Sequence, residues 1–136
     1  MAGRWLFKTE PSSYSFANLE EDGETVWDGV KNALALRHLR TVEKGDEVLF
    51  YHTGDERAVV GMAVVTRGAY PDPKKKDPRL VVVDIRPLRR LARPVTLAGM
   101  RGDRKLADFD LLRLPRLSVM PVSAAHWAEI AALARR

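Results

Sequence analysis

The fold of this chain is decided by the run Glu47-Val48-Leu49-Phe50-Tyr51-His52. Two further runs rich in valine follow it, Ala58 to Thr66 and Leu80 to Ile85, and turn-forming residues separate the three. Runs of β-branched and aromatic residues bounded by turn signals are typical of antiparallel strands. We therefore predict a small curved β-sheet that closes towards a barrel, with helices around it, in an α+β fold.

The segments before this sheet have weaker but readable local patterns. Serine and asparagine favour helix N-caps, while proline and glycine end regular structure. In chain order the patterns predict a strand from Trp5 to Lys8 stopped by Pro11, a helical turn at Ser15 to Leu19 capped by Ser13 or Ser15, an exposed acidic loop from Glu20 to Glu24, a helix over residues 33–42 with Asn32 near its cap, and a turn at Lys44-Gly45-Asp46.

The segments after the second run have more proline and more charge. Pro71-Asp72-Pro73 and Asp77-Pro78 make the intervening basic loop non-helical. Beyond the third run we predict short helical pieces at Thr96 to Met100 and Asp103 to Leu112, a closing strand at Leu117 to Val119, and a final helix capped by Ser123 that ends near Leu133 and buries Trp127.

Composition bounds the class of protein. With 136 residues, 46% of them hydrophobic, the chain can bury one core, and we predict a single domain over residues 1–136. It has no cysteine, which excludes disulfides, thiolate metal sites and a cysteine nucleophile. Because there is neither a signal-like segment nor an apolar run long enough to span a bilayer, we expect a soluble cytoplasmic protein without a membrane partner.

The net charge of +5 is unevenly distributed. Residues 1–30 are acidic, and the basic excess lies later in the chain. It gathers at Lys74, Lys75 and Lys76, at Arg86, Arg89, Arg90 and Arg93, and around Arg101, Arg104 and Lys105. Such clusters either neutralise the phosphates of a nucleic acid or form a solvated surface, and the sequence leaves both interpretations open.

Catalytic and metal-binding patterns are weak. The histidines, His38, His52 and His126, lack metal-ligand spacing. The chain contains neither a Gly-x-Ser-x-Gly elbow nor a glycine-rich phosphate loop. We therefore predict no catalytic residue, no metal and no cofactor, and Glu10, Asp28 and His52 are the acid or base candidates should the protein be an enzyme.

A binding pattern is clearer. Trp27 precedes an Asp28-Gly29 turn, and Asn32 follows with an amide that can both donate and accept. Aromatic surface beside donors and acceptors is typical of a pocket for a planar polar ligand such as a nucleobase. Trp27 alone fits a core position equally well, so the combination carries the prediction.

Several segments together resemble the successive motifs of the EVE domain family, and they cover almost the whole chain. They are Trp5-Leu6-Phe7-Lys8-Thr9-Glu10-Pro11, Trp27-Asp28-Gly29-Val30-Lys31-Asn32, Phe50-Tyr51-His52-Thr53, Ala69-Tyr70-Pro71-Asp72 and Arg116-Leu117-Ser118-Val119-Met120-Pro121-Val122. The resemblance implies a PUA-like fold of about five or six mostly antiparallel strands. It also implies a reader of modified cytosine, such as 5-methyl- or 5-hydroxymethylcytosine in DNA, or an RNA-binding relative of YTH and ASCH domains, rather than an enzyme.

The resemblance also implies which residues bind. Position by position, the ligand-binding set is Lys8, Thr9, Trp27, Asp28, Gly29, Val30, Asn32, Tyr51, His52, Arg116 and Ser118, and the nucleic-acid backbone set is Lys31, Lys74, Lys75, Lys76 and Arg79. Within the first set Trp27 stacks on or encloses the base, while Asp28 and Asn32 read its polar edges. Tyr51 and His52 complete the mouth of the pocket.

This chain departs from the family pattern at three places. Thr9 stands where serine is common, Lys31 stands where arginine is common, and only Lys74 to Arg79 follow Pro73 where many relatives carry a longer insertion. We expect a monomer with nucleic acid as its partner. The alternatives are an RNA-binding module, an enzyme on a modified nucleotide, and an interaction module with a vestigial pocket.

Overall fold

The computed structural model describes residues 3–135, which form a six-stranded sheet flanked by short helices. The strands are β1 (Arg4–Thr9), β2 (Thr25–Trp27), β3 (Glu47–His52), β4 (Ala58–Pro71), β5 (Val81–Thr96) and β6 (Val119–Pro121). The helices are α1 (Phe16–Asp22), α2 (Ala33–Leu39), α3 (Leu97–Arg101), α4 (Asp110–Arg113) and α5 (Ala124–Arg135), with a 3₁₀ turn at Arg104–Leu106.

The sheet has the order β2-β5-β4-β3-β1-β6. All neighbours in it are antiparallel except β1 and β3, which run parallel with Phe7 opposite Phe50. A parallel pair needs a long crossover, and α1, β2 and α2 supply it. Register shifts along β4 and β5 curl the sheet into a half-barrel. The predicted α+β fold of five or six mostly antiparallel strands is confirmed.

Strand β5 is longer than the sequence predicted. The prediction ended it at Ile85, whereas the strand continues to Thr96 through Pro87 and Pro94. Its outer neighbour β2 pairs with it only at Val83–Ile85. Beyond Ile85 the outer side of β5 is an edge, where a proline that lacks an N–H donor is tolerated.

Other boundaries differ in a similarly local way. The prediction of an acidic loop at residues 20–24 is wrong for residues 20–22, because α1 continues to Asp22. Gly23 is the C-cap of this helix. Strand β2 was not predicted at all, and the closing strand begins at Val119 rather than Leu117. The caps are confirmed: Ser15 Oγ accepts from Asn18 N, and Asn32 Oδ1 accepts from Ala35 N.

An aromatic cluster joins the sheet to α1 and β2. The Phe50 ring lies 5.2 Å from that of Phe16 and 5.5 Å from that of Trp27, centroid to centroid, with its plane steeply inclined to both. Gly61 makes room for Phe16, because a Cβ at this position would lie 2.6 Å from the Phe16 ring. The core therefore depends on the absence of a side chain at Gly61, near the start of β4.

A buried carboxylate ties the start of β1 to the turn before β3. Asp46 is 4% exposed. It accepts hydrogen bonds from Gly3 N at 2.7 Å, from Trp5 Nε1 at 2.9 Å and from Glu43 N at 2.9 Å. Because the hydrogen bond from the Trp5 indole is buried, the carboxylate is needed to satisfy that donor.

We expect Asp46→Ala to lower the free energy of unfolding by roughly 2–4 kcal/mol, because buried donors would be left without an acceptor. Urea denaturation followed by circular dichroism measures this. The exposed Asp55→Ala is the control, expected to change stability by less than about 0.5 kcal/mol. Equal stability of the two variants would contradict the assigned role.

Candidate ligand pocket

An open cavity of about 760 Å³ lies where the end of β1, strand β2 and the loop after β2 meet. Cavities of this size bind small organic ligands or single nucleotides. Its lining combines one large aromatic ring with hydroxyl, carboxylate and ammonium groups. The lining residues are Lys8, Thr9, Ser13, Tyr14, Glu24, Thr25, Val26, Trp27, Asp28, Gly29, Val30, Lys31, Lys74, Asp84 and Ser118.

Trp27 forms the aromatic part of the floor. Its ring packs at 5.5 Å against both Phe7 and Phe50, meets Tyr14 edge-on at 6.5 Å, and is only 8% exposed. Both sequence interpretations of Trp27 therefore hold in part, since it is a core residue that also lines the cavity. A ligand meets a strip of the ring rather than a whole free face, which favours edge contact or partial stacking.

The loop after β2 forms one wall. Gly29 has φ +77°, a left-handed conformation that glycine adopts without strain, and Asp28 beside it is exposed. Val30 is buried in the core and anchors the loop from below. The anchored loop presents the Asp28 carboxylate and backbone groups to the cavity, where they can accept from or donate to a polar ligand.

The opposite wall is held by hydrogen bonds within the segment that follows β1. Thr9 Oγ1 donates to the Tyr14 carbonyl at 2.9 Å, and Tyr14 Oη donates to Asp22 at 2.8 Å. Burial is the main reason that the pKa of Tyr14 is raised, with a further contribution from Asp22. Tyr14 is therefore neutral near pH 7 and fixed to α1.

Asp84 reaches the cavity from β5 and is held by a tyrosine from β4. Tyr70 Oη donates to Asp84 Oδ1, and the Arg67 guanidinium lies 3.6 Å from the centre of the Tyr70 ring. Burial and the hydrogen bond to Asp84 raise the pKa of Tyr70 to about 12. The bond orients the Asp84 carboxylate in the cavity wall.

Lysines supply the positive charge of the cavity. Lys31 and Lys74 are exposed, whereas Lys8 is partly buried. Lys8 Nζ donates to the Pro115 carbonyl at 2.9 Å and lies 5.9 Å from the centre of the Tyr51 ring. Burial lowers the pKa of Lys8. A partly desolvated ammonium interacts more strongly with a nearby anion than a fully hydrated one does.

The structure brings most of the predicted ligand-binding set together. The members that line this cavity are Lys8, Thr9, Trp27, Asp28, Gly29, Val30 and Ser118. Four others, Asn32, Tyr51, His52 and Arg116, lie outside its lining. The Asn32 side chain caps α2, and Arg116 lines a separate shallow groove with Asn32 and Leu117.

His52 has a structural role at the start of α1. Its Nε2 accepts from Phe16 N at 3.0 Å, and its Nδ1 lies 2.6 Å from Glu56 Oε1. Both ring nitrogens are therefore engaged within the protein, and the residue is 7% exposed. The predicted position of His52 at the mouth of the pocket is not what the structure shows, because its side chain turns towards α1.

The predicted backbone set divides in the same way. Lys31 and Lys74 line the cavity, while Lys75 and Lys76 are exposed beyond it. Arg79 forms an exposed ion pair with Asp77, 2.8 Å between Nη2 and Oδ2. Hydrogen bonds from Arg79 lower the pKa of Asp77 to about 2, so this guanidinium already has an anionic partner.

Six residues of the cavity lining were not predicted from the sequence: Ser13, Tyr14, Glu24, Thr25, Val26 and Asp84. Three of them, Glu24, Thr25 and Val26, flank or form β2, whose three residues gave no strand signal. Asp84 comes into the cavity because it pairs with Val26 across the sheet. The one local signal for these residues was Tyr14, an aromatic residue that closely follows the motif containing Thr9.

Metal-binding clusters and membrane-spanning helices are both absent from the part of the chain that the structure describes. Residues 3–135 contain no group of three or more His, Asp or Glu side chains placed to hold a metal ion. None of the helices in that range is long and apolar enough to cross a membrane.

The curled six-stranded sheet has a PUA-like fold, and an ASCH protein from Zymomonas mobilis shares this fold at 11% identity with a TM-score of 0.63. More narrowly, the family model of the EVE domain matches residues 3–133. The chain therefore belongs to the EVE domain family.

Individual relatives support this assignment. A Rhodopseudomonas palustris protein solved by NMR is 36% identical, with a TM-score of 0.94 over 98% of this chain and 94% of its own. Human thymocyte nuclear protein 1 is 27% identical over 157 residues, which cover 90% of this chain and 70% of the relative. The crystal structure of the human THYN1 protein in complex with DNA containing 5-methylcytosine is 25% identical, with a TM-score of 0.92 over 99% of both chains.

The Tyr70–Asp84 hydrogen bond predicts a pH dependence of stability. Because the pKa of folded Tyr70 is raised from 10.0 to about 12, its contribution to stability is fully present below pH 10 and is lost as the pH rises towards 12. We expect wild-type protein to lose more unfolding free energy between about pH 10 and pH 12 than Tyr70→Phe does. Urea denaturation at several pH values measures this, and parallel curves for the two proteins would contradict it.

Proposed function

We propose that this protein is a nucleic-acid-binding reader that takes a modified cytosine of DNA, such as 5-methyl- or 5-hydroxymethylcytosine, into the Trp27 cavity. One observation carries the proposal: the chain matches, over its whole length, a relative that was crystallised with DNA containing 5-methylcytosine. The cavity adds independent support, because it has the size and the mixture of groups that a nucleobase requires.

The chemistry of the lining suits the cytosine ring. The exposed Asp28 carboxylate can accept from the exocyclic amino group, the donor that distinguishes cytosine from thymine. Backbone groups at Gly29 can approach the ring closely because no side chain intervenes. Val26, which is 45% exposed, offers an apolar contact to a substituent at carbon 5.

Entry of a base into this cavity requires an unstacked nucleotide. Removing a base from a duplex costs a few kcal/mol, which contact with Trp27 and polar edge contacts offset. The exposed ammonium groups of Lys31 and Lys74 neutralise phosphates at the rim. A single methyl group discriminates weakly, so we expect roughly 1–3 kcal/mol between modified and unmodified cytosine.

Binding without turnover is the activity that this arrangement favours. Of the acid or base candidates, His52 is engaged with Phe16 and Glu56, and Glu10 accepts from Ser12 on the surface. Asp28 alone lies in the cavity. We assign it to recognition of the base edge.

The direct test is a titration of the protein with matched oligonucleotides that carry cytosine, 5-methylcytosine or 5-hydroxymethylcytosine. We expect one modified DNA to bind roughly 5- to 150-fold more tightly than its unmodified match, in line with the discrimination above. RNA oligonucleotides of the same sequence form a second arm. Equal binding to every cytosine form would overturn the proposal that the protein reads modified cytosine. Tighter binding to the RNA oligonucleotides would show that its nucleic-acid partner is RNA.

Asp28→Ala tests the base contact. We expect this variant to bind the modified oligonucleotide about 10-fold more weakly, because it loses one hydrogen bond to the edge of the base. Asp55→Ala is the matched exposed control. Trp27→Ala is a poor choice because truncating a core aromatic residue costs about 3–5 kcal/mol of stability. Trp27→Phe keeps the core filled. Unchanged affinity of Asp28→Ala for every cytosine form would exclude this residue from the site.

Lys31→Ala and Lys74→Ala test the rim. Each variant should weaken binding of modified and unmodified oligonucleotides equally. The slope of log Kd against log salt concentration should fall by about 0.9 for each phosphate that the variant no longer neutralises. Fluorescence anisotropy at several salt concentrations measures this slope. A change in the ratio between modified and unmodified DNA would instead place the lysine against the base.

A further inference from the structure

A second, smaller depression lies beside the Trp27 cavity, and Lys8 lines both. It has a volume of about 230 Å³ and is formed by Lys8, Tyr51, Thr53, Arg57, Arg101 and neighbouring residues. Pockets that hold whole organic ligands are usually about 300–1,000 Å³. A volume below that range suits a small group such as a phosphate rather than a second base with its sugar.

The charged residues that line this depression are all cations. Its three cations are Lys8, Arg57 and Arg101, and no carboxylate within residues 3–135 forms an ion pair with any of them at 4.0 Å or less. The exposed carboxylate of Glu10 lies at the edge of the depression, with its Oε2 3.3 Å from Thr53 Oγ1. Three clustered cations repel one another and attract an anion.

The Arg57 backbone adds a second observation. Its φ of +45° makes it the one non-glycine residue of the described chain with positive φ. Positive φ is uncommon for residues other than glycine, and residues in such strained conformations cluster at functional sites. Arg57 Nε donates to the Gly54 carbonyl at 3.0 Å, which fixes the guanidinium and leaves its terminal N–H groups for another acceptor.

The position of Tyr51 completes the depression. It is 3% exposed, and burial raises the pKa of its hydroxyl more than the charges of Arg57 and Arg101 lower it. Both arginines line the depression together with this tyrosine. A neutral hydroxyl beside two guanidinium groups adds a hydrogen-bond donor to a site for an oxyanion.

We propose that Arg57, Arg101 and Lys8 form a phosphate subsite that holds one backbone phosphate next to the nucleotide whose base enters the Trp27 cavity. Lys8 separates the two sites and contacts both parts of the same strand. The subsite rests on the proposed function only in requiring nucleic acid as the ligand. It does not require that the base be modified.

A scan with methylphosphonates tests this subsite, because each replacement removes the charge of one phosphate. We expect one replacement, within two nucleotides of the modified cytosine, to weaken wild-type binding at least 5-fold. The double variant Arg57→Asn/Arg101→Gln should bind natural DNA more weakly and should lose its sensitivity to that replacement. Asparagine is chosen at position 57 because it tolerates positive φ.

The matched control is Arg89→Ala/Arg93→Ala, which removes the same charge from an exposed part of β5 and should keep the positional effect. Arg101→Gln alone, at an exposed helix position, repeats the test if the double variant folds poorly. Two results would overturn the subsite. One is that no methylphosphonate replacement weakens binding of the wild type, and the other is that the positional effect persists in both Arg101 variants.

The two proposals fail separately. A sensitive phosphate that depends on Arg57 and Arg101, with equal affinity for modified and unmodified cytosine, supports the subsite and overturns the reader. A preference for modified cytosine with no phosphate that depends on these arginines supports the reader and overturns the subsite.

Discussion

The packing of Phe50 between Phe16 and Trp27 is the interaction on which the rest of this structure depends. Phe50 stands opposite Phe7 in the parallel pair of β1 and β3, and the Phe7 ring contacts Trp27 in turn. The cluster therefore joins the centre of the sheet, α1 and β2 through side chains alone. Gly61 permits it by leaving space for Phe16. Because Trp27 belongs to this cluster, the floor of the cavity is as rigid as the core itself, and a ligand does not have to order it.

The sequence was informative where local chemistry determines structure. Ser15 and Asn32 were recognised as caps because short side-chain acceptors satisfy the first amides of a helix, and both form these hydrogen bonds. Strands β3 and β4 were recognised because valine and aromatic residues concentrate there between turns. By contrast β2 has three residues and exists only through its pairing with β5, which no local pattern encodes.

The candidate site shows the same division between local and non-local information. The Trp27-Asp28-Gly29 motif predicted a pocket wall because an aromatic residue, a carboxylate and a glycine are adjacent in the chain, and all three residues line the cavity. Tyr51 and His52 were expected to share one mouth, yet successive side chains of a strand point to opposite faces of the sheet. His52 accordingly holds α1, and Tyr51 faces the small depression beside Lys8. Asp84 could be found only from the register of β2 and β5.

The distribution of charge would orient a nucleotide bound at the proposed site. Carboxylates from Glu24, Asp28 and Asp84 line the Trp27 cavity, where they disfavour a phosphate and can accept from the amino group of a base. Arg57 and Arg101, which have no ion-pair partner within 4.0 Å among residues 3–135, lie in the adjoining depression. Lys8 stands between the two, desolvated by burial and held by the Pro115 carbonyl. A nucleotide that entered base first would place its base beside these carboxylates and a phosphate beside the two guanidinium groups, whereas the reverse orientation would set phosphate against carboxylate.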